Sequence, residues 1–266
     1  MRIALGIRYA GTAYHGWQSQ ADGRTVQDCL EKALTQFCAE DIPVKTVCAG
    51  RTDTGVHALN QVVHFDTEIE RSCISWVRGG NRFLPSDIAV QWCREVPPDF
   101  HARNSAIGRS YVYIVLESPV RPSLEFCRVG WSWRSLDGEA MRQAAALLVG
   151  EHDFSAFRSS ECQSPTPVKN LRRIQISKYG DYWRFEFEAN AFLHHMIRNI
   201  MGTLIAVGAG NQPVSWVGEV LASRRRENAA PTFSPHGLYF LGPRYDKHWD
   251  IPGVDSQQAL MLPVSG

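Results

Sequence analysis

Apolar and polar residues alternate from the start of the chain. Ile3, Leu5, Ile7 and Tyr9 share one face of an extended segment, which predicts a half-buried strand. Gly11 and Gly16 then mark a loop. From Val26 the apolar spacing lengthens to three and four residues, through Cys29, Leu30, Ala33, Leu34 and Phe37. Thr25 with Asp28 makes an approximate capping box, so this stretch predicts an amphipathic helix. Residues 44–49 and 59–65 read as strands flanking a turn at 50–55, residues 72–82 as a helix with Ile74, Trp76 and Val77 inward, and residues 88–96 as a further strand. Strand, helix, two strands, helix, strand is the ferredoxin-like order.

Pro97 and Pro98 punctuate the chain, and a second cycle follows. Residues 110–116 alternate as a strand, and 136–149 read as a helix with Gly150 placed to cap it. Residues 171–179 and 182–189 form a hairpin about Gly180-Asp181, with Trp183, Phe185 and Phe187 on one face. An apolar helix at 192–207, a short helix at 214–222 and a strand at 238–241 complete the cycle. The expectation is an α+β protein of two related ferredoxin-like halves, 1–104 and 105–245, whose antiparallel sheets join side by side and leave a cleft. A loosely ordered tail is expected at 246–266.

Composition narrows the class. With 44% apolar and 21% charged residues in 266, the chain is expected to be soluble and globular. The most apolar stretch, 191–210, carries His194, His195, Arg198 and Asn199, which predicts a buried helix and no membrane span. Met1 leads straight into a strand-like segment, so a cytoplasmic location is expected. Seven cysteines, odd in number and never in a Cys-x-x-Cys pair, fit reduced thiols. A formal charge of +1 neither favours nor excludes a polyanionic partner, because net charge does not say where the charges lie.

Four places carry candidate chemistry. In Gly50-Arg51-Thr52-Asp53-Thr54-Gly55 the glycines permit a tight turn that presents a carboxylate, with Arg51 able to keep it ionised or to reach a phosphate. An aspartate capping its own turn has the same spacing. Tyr111 and Tyr113 share one face of a strand, which suits half-exposed sheet residues as well as a base-stacking platform. His194, Arg198 and Gly202 recur at four-residue spacing, placing a guanidinium in the interior, where it requires a structural carboxylate or a functional anion. Adjacent histidines on a helix diverge by about 100°, and no His-Glu-x-x-His accompanies His194-His195, so no metal site is expected. Arg224-Arg225-Arg226 reads as a solvated helix end. Neither a phosphate-binding Gly-x-x-x-x-Gly-Lys loop nor a dinucleotide fingerprint occurs, and no cofactor is expected.

The ordered blocks Tyr14-His15-Gly16-Trp17-Gln18, Cys48-Ala49-Gly50-Arg51-Thr52-Asp53, Gly55-Val56-His57, Gln61-Val62-Val63-His64-Phe65, Asp99-Phe100-His101-Ala102-Arg103, Tyr111, Asp153-Phe154, Phe157-Arg158 and residues 190–199 resemble the A-type tRNA pseudouridine synthases. The resemblance implies a cofactor-independent isomerase acting on uridines of the tRNA anticodon stem-loop, as a homodimer. It implies that Asp53 is the catalytic aspartate, that Tyr111 contacts the target uracil, that Arg198 pairs with the aspartate, and that Arg51 replaces the flipped base. It also implies tRNA contacts at Phe100, His101, Ala102, Arg103 and Asn104, and at Glu161, Cys162, Gln163, Ser164 and Pro165. The chain departs from the family's pattern at Thr54, Asn104, Glu161 and Thr232-Phe233-Ser234-Pro235.

Overall fold

A computed structural model describes residues 1–39 and 43–254. In chain order its elements are β1 (Arg2–Tyr9), α1 (Val26–Cys38), β2 (Val47–Cys48), β3 (His57–Asp66), α2 (Cys73–Phe83), β4 (Ile88–Val96), β5 (Ala106–Glu117), β6 (Gly130–Ser132), α3 (Gly138–Ala146), β7 (Gly150–Asp153), β8 (Val168–Tyr179), β9 (Tyr182–Ala189), α4 (Met196–Gly208), α5 (Trp216–Ser223) and β10 (Leu238–Tyr245). Sheet and helix alternate in an α+β arrangement. Among the described residues two compact units emerge: Met1–Gly108 with 239–254, and Arg109–Leu238.

In the first unit β1 lies antiparallel between β3 and β4. The half-buried strand expected of β1 is in fact covered on both faces. Ile3, Leu5 and Ile7 are buried as the alternation required, but Ala4 is also fully buried, in a cluster with Ala49, Val62, Val96, Phe100 and Ala102. Gly6 is overlaid so closely by Trp92 that a Cβ there would lie 2.1 Å from the indole. Partly buried Tyr245, Trp249 and Ile251 pack on that cluster, and Asn60 donates to the Pro252 carbonyl at 3.0 Å. Residues 246–254, expected to be loose, are therefore docked. The rest of that expected tail lies outside the described residues.

Thr25 caps α1 by accepting the Asp28 N–H at 3.2 Å. β2 is shorter than the strand expected at 44–49 because α1 takes its donors. Val44 N–H bonds Thr35 Oγ1 at 2.9 Å and Thr46 N–H bonds Glu31 Oε1 at 2.9 Å, leaving two residues to pair with β3. Trp76 on α2 sits edge-on to both Phe37 of α1 and Phe65 of β3, each at 5.3 Å, fixing the helices against the sheet. β10 enters parallel to β3, Tyr239 opposite His57 and Phe240 opposite Ala58.

In the second unit the order is β5-β9-β8-β7, antiparallel throughout, with β6 parallel to β5. The expected hairpin forms, and Trp183, Phe185 and Phe187 are buried on one face. α3 stops at Ala146, three residues before the expected end. Leu147, Leu148 and Val149 donate to carbonyls three residues back, and Gly150, at φ 122°, opens β7 instead of capping the helix. α4 starts at Met196, four residues later than expected, after His195 in the left-handed region at φ 63°. No helix among the described residues is long and apolar enough to cross a membrane. The seven cysteines are free thiols, three of them buried.

Candidate active site

The turn carrying Asp53 is tethered from three directions within the first unit. The Ala49 N–H joins the Val62 carbonyl at 2.8 Å, and the Gln61 amide of β3 donates to the Gly50 carbonyl. The Thr52 carbonyl accepts the Trp17 N–H at 3.0 Å, while the Thr52 and Tyr9 hydroxyls share a buried hydrogen bond of 2.8 Å. Gly16, at φ 83°, passes so near that a Cβ would lie 2.6 Å from the Thr52 carbonyl oxygen, so both the backbone conformation and the close approach demand glycine. Val56 N–H closes the turn on the Asp53 carbonyl at 3.1 Å. Thr52 faces inward, Asp53 is half-buried, and Arg51 and Thr54 are exposed. Alternation about the anchored, buried threonine leaves Asp53 half-buried.

Just beyond the turn, His57 is buried, accepts the Gly11 N–H at Nδ1 at 3.0 Å, and stacks on Tyr239 with ring centres 4.6 Å apart. The spacing of the sequence did not single out His57, Gln61 or Tyr9. A glutamine directly before Val62 and Val63 in β3 was the available signal, since a buried amide requires a partner.

In the second unit Tyr111 on β5 is buried to 9% exposure and meets Phe192 edge-on at 5.2 Å. Tyr113 is wholly buried and its hydroxyl donates to the Ser234 carbonyl. Of the two tyrosines only Tyr111 retains any exposure. Arg198 lies near the start of α4, half-buried, and its Nε donates to the Phe233 carbonyl at 2.9 Å. Gly202, one turn on, allows the Pro231 carbonyl to approach, a Cβ there meeting it at 2.2 Å. The expected helical row of His194, Arg198 and Gly202 is only partly present, because His194 precedes the helix. The angular argument against a metal at His194-His195 falls with it, the two rings being tilted together at 4.0 Å in the turn before α4.

Arg226, expected at a solvated helix end, is half-buried, and its guanidinium bonds Asn199 Oδ1 and Thr232 Oγ1, both at 3.1 Å. Arg224 forms an ion pair with Asp153 at 3.4 Å. The arginine run thus has structural partners in addition to solvent.

The segments expected to meet tRNA divide by burial. Phe100 and Ala102 are fully buried, His101 is half-buried, and Arg103 and Asn104 are exposed. His101 Nδ1 accepts the N–H groups of Arg103 and Asn104, each at 3.2 Å, so an imidazole shapes the turn that presents them. In the other segment Glu161, Gln163 and Pro165 are exposed, with Cys162 and Ser164 half-buried. Arg158 gathers that loop by donating to the carbonyls of Cys162 at 2.6 Å and Ser164 at 2.9 Å. Burial pushes the Cys162 thiol up, but the N–H groups of Ser164 and His194 and the Arg158 guanidinium outweigh it and hold the thiol below its usual range.

A model described as tRNA pseudouridine synthase covers residues 6–104 and 144–246, and the chain belongs to that family. Its relatives are narrower still. A protein of Methylibium petroleiphilum named tRNA pseudouridine synthase A is 67% identical over 252 residues, 95% of this chain and 96% of that one. One of Variovorax paradoxus with the same name is 61% identical over 270 aligned positions, 100% of this chain and 99% of the relative. One of Polaromonas naphthalenivorans, also so named, is 64% identical over 256.

Proposed function

We propose that this protein isomerises uridine to pseudouridine in the anticodon stem-loop of tRNA, with Asp53 as the reacting carboxylate. One observation carries the reading: the family match spans the whole Asp53 turn, and that turn is anchored so that Asp53 is half-buried between exposed Arg51 and Thr54. The reaction breaks the C1′–N1 bond, rotates the uracil and joins C5 to C1′. C5 loses a proton, N1 gains one, and nothing is oxidised or imported. The chemistry calls for a carboxylate at the sugar–base junction and a base displaced from its stack.

In this reading Arg51, exposed beside Asp53, fills the space of the flipped base, Tyr111 walls the uracil, and Arg198 is the cationic partner of the reacting carboxylate. Arg103, Asn104, Glu161, Gln163 and Pro165 are the side chains of their segments exposed enough to meet tRNA. The reading extends to ferredoxin-like halves, a cytoplasmic location and a homodimer. The strand order β4-β1-β3 with β2 on the remaining edge of β3, and the order β5-β9-β8, support the first of these. The names of the relatives support the substrate.

The test is incubation with unmodified tRNA carrying uridine tritiated at C5. The expected result is tritium released to water by the native protein and none by Asp53→Ala. Release by both, or by neither, overturns the assignment of Asp53. Free labelled uracil as product replaces isomerisation by glycosidic cleavage.

A further inference from the structure

We infer that Tyr9 is a positioning residue for the reaction, acting through Thr52 to hold Asp53 in place; this rests on the catalytic reading of Asp53. Tyr9 is the last residue of β1, and the pairing of β1 with β3 slips between Ile7 and Tyr9. Such an irregularity re-aims the side chain that follows it. Here the side chain passes Trp17, with ring centres 5.8 Å apart, and its hydroxyl ends on Thr52 Oγ1 at 2.8 Å, with both residues almost wholly buried. Thr52 is the residue immediately before Asp53, so its torsions set where the carboxylate begins.

The other tethers act on backbone atoms: Gln61 on the Gly50 carbonyl, Trp17 on the Thr52 carbonyl, Val62 on the Ala49 N–H. None of them fixes the Thr52 side chain. A hydroxyl pair in a dry interior forfeits its hydrogen bond if the chain shifts, so it resists displacement more than apolar packing does. Small misplacements of a reacting group cost large factors in rate while leaving substrate affinity intact. The effect of Tyr9 is on the geometry of Asp53, the residue that follows its partner Thr52.

The experiment compares Tyr9→Phe, Thr52→Ser, Thr52→Val and the double variant Tyr9→Phe/Thr52→Val in single-turnover tritium release and in KM for tRNA, with thermal unfolding followed alongside. The expected result is a rate about tenfold lower for Tyr9→Phe with KM within about twofold. Thr52→Ser, which keeps the hydroxyl, retains near-native rate; Thr52→Val matches Tyr9→Phe; and the double variant is no slower than either single one. A native rate for Tyr9→Phe overturns the proposal, as does equal impairment of Thr52→Ser and Thr52→Val, or additive losses in the double variant. Should Tyr9→Phe unfold at the assay temperature, the contrast between serine and valine at position 52 decides alone. Asp53→Ala run in parallel separates the two readings, since full activity there removes the catalytic assignment whatever Tyr9→Phe does.

Discussion

Arg198 and Phe233 bind each other twice: the Arg198 Nε donates to the Phe233 carbonyl at 2.9 Å, and the Phe233 N–H donates to the Arg198 carbonyl at 3.1 Å. The fixed Nε direction leaves the far edge of the guanidinium as the part that can turn to another group. Lysine keeps the charge but has no Nε–H fork. Arg198→Lys is therefore expected to lower kcat and to cost about 1–2 kcal/mol of stability, the range for a hydrogen bond from a charged donor with part of its charge retained. Steady-state rates with a urea unfolding curve check both, and a lysine variant of native rate and midpoint contradicts the assigned role.

Asn199, next on α4, is fully buried and joins three parts of the second unit. Its amide donates to the Phe157 carbonyl at 2.8 Å, and its Oδ1 accepts from Arg226 at 3.1 Å and Thr232 at 2.7 Å. Asn199→Leu preserves bulk but leaves the Phe157 carbonyl without its donor and takes one acceptor from the Arg226 guanidinium and one from the Thr232 hydroxyl, so the expected loss is about 2–4 kcal/mol. The urea midpoint measures it. A loss below about half a kcal/mol, the usual range of a neutral surface change, excludes the network as a stabilising device.

His64 gives a pH dependence. Its ring is buried at 4% exposure and accepts the Ala102 N–H at Nδ1 at 3.1 Å. Burial, reinforced by Arg2 and His101, lowers its pKa from 6.5 to about 4. The unfolded chain takes up the proton first as pH falls, so stability declines from about pH 6.5 to about pH 4 and this contribution levels off below. Thermal midpoints for the native protein and His64→Gln are expected to converge as pH drops through that window. Parallel curves are the contrary result.

Gly16→Ala places a methyl 2.6 Å from the Thr52 carbonyl oxygen at a φ of 83°. Strain at a left-handed residue costs about 1 kcal/mol or more, and the contact cannot relax without moving the turn. The expected outcome is lost stability together with a fall in rate, read by unfolding and tritium release. Alanine at Gly23, φ 65° with open space around it, serves as a control that carries the backbone strain without the clash.

The ends of elements show where sequence reading stops. The bounds of α2 and β4 fall within a residue of those expected, because local spacing and the Ser72 cap decide them, but Ile74, expected inward on α2, is 55% exposed, and of the three expected apolar residues only Trp76 is fully buried. α4 does not, since residues 192–195 are apolar enough to continue a helix, yet the chain takes a left-handed turn at His195 with Phe192 against Tyr111. β2 shrinks because Glu31 and Thr35 of α1 capture its N–H groups, an event of tertiary geometry.

The sequence by itself determined the alternation of strands and helices, the family, and the presence of a glycine-flanked aspartate beside an arginine. Those are properties of local period, turn chemistry and ordered motif, all carried by neighbours along the chain. Only the tertiary structure decided that Tyr9, Trp17 and Gln61 converge on the turn before Asp53, that Phe100 and Ala102 are core, and that Arg226 is an internal donor. Those facts depend on which buried polar group finds a partner from a distant segment, and that pairing is fixed by packing, with no trace in spacing.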